Sequence, residues 1–195
     1  MQTAAEFVPG ATSGNATVID IEAPPHVIWQ AIQDLRLDDL RAARLLMGIR
    51  SLPAVVFGKG SLRRRFGRTA ASPLIEALTS SRFVILYCEP DRILTLGIVG
   101  QFWKLTGGDD APVTDRATFV AFNQPGFLKS AIDFILVPHG SGTRLTTQTC
   151  NRATDETTAR LFRRYWRVVG LGSMLVRVDM LAAIRRKADR IVETS

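Results

Sequence analysis

Thr147 and Thr149 stand two residues apart in a predicted strand, which puts two hydroxyls on one of its faces. Tyr165 lies in the apolar stripe of a predicted helix that follows and can bring a phenol to the same surface. A few convergent polar groups on a mostly apolar wall are what a small-molecule pocket uses to orient its ligand. Threonine is equally a good strand former, so plain packing under the helix, with the hydroxyls bonded locally, is the simpler use of the pair. The other chemistry-bearing residues are scattered. Cys88 and Cys150 are the only cysteines, each in a predicted strand, which suits buried reduced thiols better than a disulfide framework. His26 and His139 are the only histidines, and no His/Cys group has zinc spacing, so no metal is expected. Acid–base catalysis needs a positioned titratable group. Asp133 reads as outward-facing in a polar cross-strand pair, while Glu89 and Asp91 fall in a turn and His139 in a hairpin loop. Ser, His and Asp form no nucleophile motif, and no cofactor fingerprint is present.

The elements that must position these groups follow from periodicity. Ala16 to Glu22 reads as a strand ended by Ala23-Pro24-Pro25, and proline in a first turn starts a helix with Val27, Ile28, Ala31, Ile32 and Leu35 on its apolar face. Asp38 or Asp39 can cap a second helix carrying Leu40, Ala43, Leu46 and Met47, stopped by Pro53. The segment 51–81 is poorly patterned and contains Arg63-Arg64-Arg65, a helical piece near Pro73 to Leu78, and Gly58-Lys59-Gly60-Ser61, whose spacing is wrong for a phosphate loop. The middle is β: Phe83 to Cys88 and Arg92 to Val99 make a hairpin, and Gln101 to Lys104, Arg116 to Phe122, Phe127 to Val137 and Thr143 to Asn151 read as further strands. Turn signals at Asn123–Gly126 and His139–Gly142 set a register. Leu136 then faces Leu145, Phe134 faces Thr147, and Ile132 faces Thr149, with Phe119 and Ala121 carried onto the same inner face and Asp133 and Lys129 on a solvated one.

Thr154 is the candidate cap of a closing helix reaching about Val192. Phe162, Tyr165, Trp166, Val169, Val176, Met180, Ile184, Lys187 and Ile191 form its stripe, in which only Lys187 is polar. Such a stripe needs a long apolar surface, and the strands supply it. Gly170 and Gly172 interrupt the helix, and paired glycines predict a bend or break there. Trp166 and Phe134 are expected to be buried. Gly97 and Gly100 can bulge a strand or admit a close neighbour, which places Phe102 and Trp103 in core or pocket wall.

The 195 residues fit one domain, residues 16–195, behind a loose tail at 1–15. The formal net charge of +7 is carried mainly by arginine. It suggests either an anionic partner or simply solvated faces, and the dispersal of the basic residues argues against nucleic acid. No apolar run approaches the roughly 20 residues that span a bilayer, and the opening stretch lacks signal-peptide character, so the cytoplasm is the expected location.

The layout resembles the START-related, helix-grip superfamily, which includes lipid-transfer domains and polyketide cyclase/dehydrase-like proteins. The resemblance rests on Val18-Ile19-Asp20-Ile21-Glu22-Ala23-Pro24-Pro25-His26-Val27-Ile28-Trp29, on Gly142-Thr143-Arg144-Leu145-Thr146-Thr147 and on the long closing helix. It implies an α+β fold, a curved antiparallel sheet of six to seven strands around the C-terminal helix, with a cavity between them. It transfers no catalytic residue. The expected cavity wall is Trp103, Phe119, Phe134, Thr147, Thr149, Tyr165, Trp166 and Val169, with Arg63, Arg64 and Arg65 as an anionic contact, and no cofactor. The expected partner is a hydrophobic or aromatic small molecule, lipid or polyketide-like, with an anionic membrane surface as a further one. The alternatives are a polyketide cyclase or dehydratase using Tyr165, Thr147 and Thr149, or a basic module binding acidic lipid or nucleic acid through Arg63–Arg65 and Arg160, Arg163, Arg164 and Arg167.

Overall fold

A two-residue turn, Gly140-Ser141, fixes the longest hairpin of the fold. Gly140 sits at φ +59°, a conformation glycine adopts without strain. The turn joins β4 (Leu128–His139) to β5 (Gly142–Ala153). The register is Leu136 opposite Leu145, Phe134 opposite Thr147 and Ile132 opposite Thr149, as the turn signal dictates. The computed structural model describes residues 2–11, 13–40, 72–80, 82–104, 109 and 111–194. Arg63–Arg65, the glycines around Lys59, and the expected helical residues Ala43, Leu46 and Met47 lie outside them.

Within the described residues the architecture is α+β, with five antiparallel strands in the order β1-β5-β4-β3-β2 and a long C-terminal helix. β1 (Ser13–Ile21) pairs with β5, and β2 (Val84–Glu89) and β3 (Ile93–Gly100) complete the other side. Two of the expected strands are something else, which is why the count is five rather than six to seven. Gln101–Lys104 is a turn leaving β3. Arg116–Ala121 is a helix, because the Asp115 carboxylate caps it by accepting from Thr118 N–H at 2.8 Å.

That helix moves Phe119 off the inner face. With α1 (Ala4–Phe7), α2 (Pro25–Gln33) and α3 (Leu74–Thr79) preceding it, Arg116–Ala121 is α4. Phe119 is fully buried on the opposite side of the sheet, in a cluster with Phe7, Leu86, Val99 and Phe127. A Cβ on Gly97 would meet the Phe119 ring at 2.9 Å, so the glycine admits the close neighbour foreseen for it.

The outer face is not solvated throughout. The opening residues, read from composition as a loose tail, pack on it: Ala4, Phe7 and Val8 are buried. Ala4 N–H donates to Asp133 Oδ2 at 2.8 Å and Gln148 N–H donates to Oδ1 at 3.2 Å. Asp133, expected outside, is fully buried beneath α1. Burial pushes its carboxyl pKa up, opposed by the N–H groups of Ala4 and Gln148.

The inner face carries the larger core. α5 (Glu156–Glu193) runs 38 residues without interruption, so the break expected at Gly170–Gly172 does not occur. Each glycine costs a helix interior only about 0.5–1 kcal/mol, and tertiary contacts on both sides of the pair outweigh that. The second half of α5 packs Met180, Leu181 and Ile184 with Ile28 and Ile32 of α2 over Phe134, Leu136 and Leu145. Lys187, the polar member of the stripe, reaches Asp39 at 3.1 Å. The helix cap is Asp155 rather than Thr154. Thr154 instead bonds across to Phe127, its hydroxyl donating to the Phe127 carbonyl at 2.9 Å. Among the described residues no helix is long and apolar enough to cross a membrane.

Candidate functional site

Towards Asn151 the two layers separate. Between the inner face and the first half of α5 lies a half-open cavity of about 300 Å³. Its floor follows from strand alternation: Ile98 on β3, Ser130 and Ile132 on β4, Thr149 and Asn151 on β5. Its ceiling is helical, with Phe162, Tyr165, Trp166 and Val169 one turn apart and Ser173 beyond them. The Phe162 ring lies 5.3 Å from Trp166 and 6.2 Å from Tyr165, centroid to centroid. Phe83 and Phe102 close the side. Phe102 folds back there because Gly100 has no side chain: a Cβ would meet the ring at 3.0 Å.

Four of the eight expected wall residues therefore meet at one cavity: Thr149, Tyr165, Trp166 and Val169. Trp166 is half-buried, against full burial for Phe134. Phe134 and Thr147 share the floor's face but sit further along it, Phe134 in the filled core and the fully buried Thr147 hydroxyl without a partner among the described residues. Phe119 is on the other face, for the reason given above. Trp103 lines a separate, shallower depression of about 390 Å³ with Lys104, Pro125 and Leu161. The polar side chains in that depression are already engaged: Gln101 donates to the Gly126 carbonyl at 3.0 Å, and Asp155 accepts from Gly126 N–H at 2.6 Å and from the Thr158 hydroxyl at 2.7 Å. These bonds, led by those from Thr158, hold the Asp155 carboxyl down to about 2.

The sequence reading missed three polar residues of the lining, Ser130, Asn151 and Ser173, and Arg177 behind it. Asn151 continues the two-residue alternation of Leu145, Thr147 and Thr149 onto the inner face and is 3 % exposed. Its Oδ1 accepts from Ser130 Oγ at 2.5 Å, while its Nδ2 has no partner among the described residues. Arg177 lies four residues beyond Ser173 and three before Met180, inside the inward stripe, and is 4 % exposed. A lone arginine at an apolar stripe position was the available signal. Its guanidinium donates to the Asn15 carbonyl and, at 2.8 Å, to Thr149 Oγ1. Burial lowers its pKa, and the attraction of Asp133 across the sheet opposes the shift.

Among the described residues the lining contains no Asp, Glu, His, Lys or Cys, and no group of three or more His, Cys, Asp or Glu is placed to hold a metal. Cys88, expected to be buried, is exposed; Cys150 is buried. His139 is exposed beside Arg144, which pairs with Asp20 at 2.8 Å.

No protein-family model matches the chain, and no curated protein matches it. Among solved structures it is similar to protein MLL2253 from Mesorhizobium loti, at 13% identity and a TM-score of 0.41, over 91% of this chain and 98% of that one. It is also similar to TTHA0849 from Thermus thermophilus, at 11% identity and 0.36, over 94% and 100%. For CalU16 from Micromonospora echinospora the figures are 14% and 0.32, over 91% and 84%. Likeness this distant carries no argument about function. The topology on its own fits a helix-grip layout, an antiparallel sheet holding one long C-terminal helix.

Proposed function

We propose that the protein binds a hydrophobic or aromatic small molecule, lipid or polyketide-like, in the cavity between the sheet and the first half of α5, and does so in the cytoplasm. The observation that carries this is an aromatic ceiling over an apolar floor set with a few polar groups, the composition by which pockets hold and orient such ligands. A cyclase or dehydratase would have to move its protons through Tyr165 and hydroxyls, since the described lining supplies no carboxyl or imidazole. The test is fluorescence of N-phenyl-1-naphthylamine, a neutral apolar probe, together with native mass spectrometry of gently purified protein. Wild type is expected to enhance the probe's emission, and Ser173→Phe, which fills the cavity from α5, to abolish that enhancement while remaining folded. Equal enhancement by both proteins would defeat the proposal.

A second reading, contact with an anionic membrane surface, is favoured by the outward side of the same helix. Arg160, Arg163, Arg164 and Arg167 are exposed there, and one to three turns on, Val168, Leu171 and Leu175 are 80, 71 and 55% exposed. Basic residues beside exposed apolar ones suit an interfacial helix. Co-sedimentation with phosphatidylglycerol vesicles that fades as salt rises, and none with phosphatidylcholine alone, is the expected result. Equal sedimentation with both would remove this reading.

A further inference from the structure

The cavity's polar corner specifies more than an apolar ligand. Thr149 and Asn151 stand two residues apart on one face of β5, so their Cα atoms are about 6.5–7 Å apart and both side chains meet the cavity. Asn151 has its carbonyl oxygen taken by Ser130 and its amide N–H group unpaired among the described residues, though the residue is almost wholly buried. Buried donors are rarely left so, because nothing repays the water they lose. The Thr149 oxygen already accepts from the Arg177 guanidinium, which leaves the hydroxyl hydrogen to be donated elsewhere. Arg177 itself is buried, and among the described residues no carboxylate lies within ion-pair distance of it. Its hydrogen-bond partners are neutral oxygens and Asp133 attracts it only from across the sheet, so a cation without an ion pair stands directly behind the hydroxyl. Nothing acidic in the described lining opposes a negative charge in front of it.

We propose that this corner binds an acceptor oxygen, and that the cavity accordingly prefers apolar molecules ending in a carboxylate or, more weakly, a carbonyl. The oxygen takes a hydrogen bond from Thr149 Oγ1, which the Arg177 charge behind it makes charge-assisted, and a second from Asn151 Nδ2 once the buried amide turns towards the cavity. The inference rests on reading the cavity as a ligand site and names the ligand's buried end. Arg177 is a positioning residue here: it reaches the ligand through Thr149.

Isothermal titration of the full chain with 2-naphthoate, 2-acetylnaphthalene and 2-ethylnaphthalene tests it, because one aromatic body carries a charged, a neutral and no acceptor. Wild type is expected to bind the naphthoate at least about ten-fold more tightly than the ethyl compound, with the ketone between them. Asn151→Ala and Thr149→Val should each shrink that ratio several-fold. Thr149→Ser, which keeps the hydroxyl, should restore it. Arg177→Gln should also erase the preference; should it fail to fold, the two strand variants decide. A ratio near one in wild type, or an unchanged ratio in Asn151→Ala and Thr149→Val, overturns the acceptor corner and leaves the apolar cavity standing. Binding of none of the three by folded wild type overturns both.

Discussion

Between the sheet and α5, the end near the Gly140 turn is filled and the end near Asn151 is hollow, although one strand pair and one helix serve both. At the filled end a third layer closes the gap: α2 inserts Ile28 and Ile32 between Leu136, Leu145 and Ile184. At the hollow end the side chains thin out. Gly100 lends its space to Phe102, Gly170 sits against the Trp166 indole, and β5 changes from Leu145 to Thr149 and Asn151. The difference teaches that the cavity follows from where α2 stops and from which positions lack apolar bulk, rather than from any special element of its own.

The sharpest break of this comparison is a pair of truncations. Phe134→Ala at the filled end should cost about 3–5 kcal/mol, whereas Trp166→Ala, half-buried beside empty space, should cost nearer ~1 kcal/mol. Urea unfolding of both variants checks it, and equal losses would mean that the hollow end is packed as tightly as the filled one. Next in size is the cap where the hollow end begins. Asp155→Ala removes the acceptor for Thr158 and Gly126 and should cost about 0.5–2 kcal/mol, read as a lowered melting temperature.

Two carboxyls then sharpen the contrast through pH. Asp155 is held low, so its contribution is present above the ordinary aspartate range and is lost as pH falls from about 4 towards 2. Asp133, held high by burial, works oppositely: the folded state binds the extra proton, so its contribution is present at acid pH and is lost as pH rises through its raised value. Subtracting the stability–pH curves of Asp155→Asn and Asp133→Asn from wild type should give slopes of opposite sign. Slopes of the same sign would show that one of the two environments is misassigned. The smallest effect belongs to Gly170→Ala. The new methyl meets Trp166 Nε1 at 3.3 Å, and the ring has the cavity to retreat into. A gain of up to about 1 kcal/mol from helix propensity is expected, with weaker binding of N-phenyl-1-naphthylamine as the ring takes up space. A loss of stability would mean that the indole cannot move.

Much of this fold is legible in the chain wherever one rule decides. The Gly140 turn sets the β4–β5 register, Pro25 starts α2, and the apolar stripe predicts the extent of α5, though not its continuity through Gly170–Gly172. Errors arise where a second layer decides. Arg116–Ala121 is too short for periodicity to separate strand from helix, and the deciding Asp115–Thr118 cap is a local signal that the apolar run Phe119-Val120 hides. Asp133 reads as solvated because alternation says which face a residue is on, not whether Ala4 and Phe7 will cover that face. At the site the same alternation was enough to place Thr149 and, carried one step further, Asn151. Arg177 required trusting the stripe over the residue type.

The continuity of α5 has a mechanical consequence. Its second half is clamped to α2 and the sheet, and its first half roofs the cavity as a beam some 25 Å long, at about 1.5 Å per residue from Glu156 to Ser173. The helix is unbroken at Gly170–Gly172, so roof and clamp are one element, and its tip is tied by Asp155 to Gly126 in the loop before β4. A substitution at that tie, such as Asp155→Asn, is therefore expected to be felt in binding at the cavity as well as in stability.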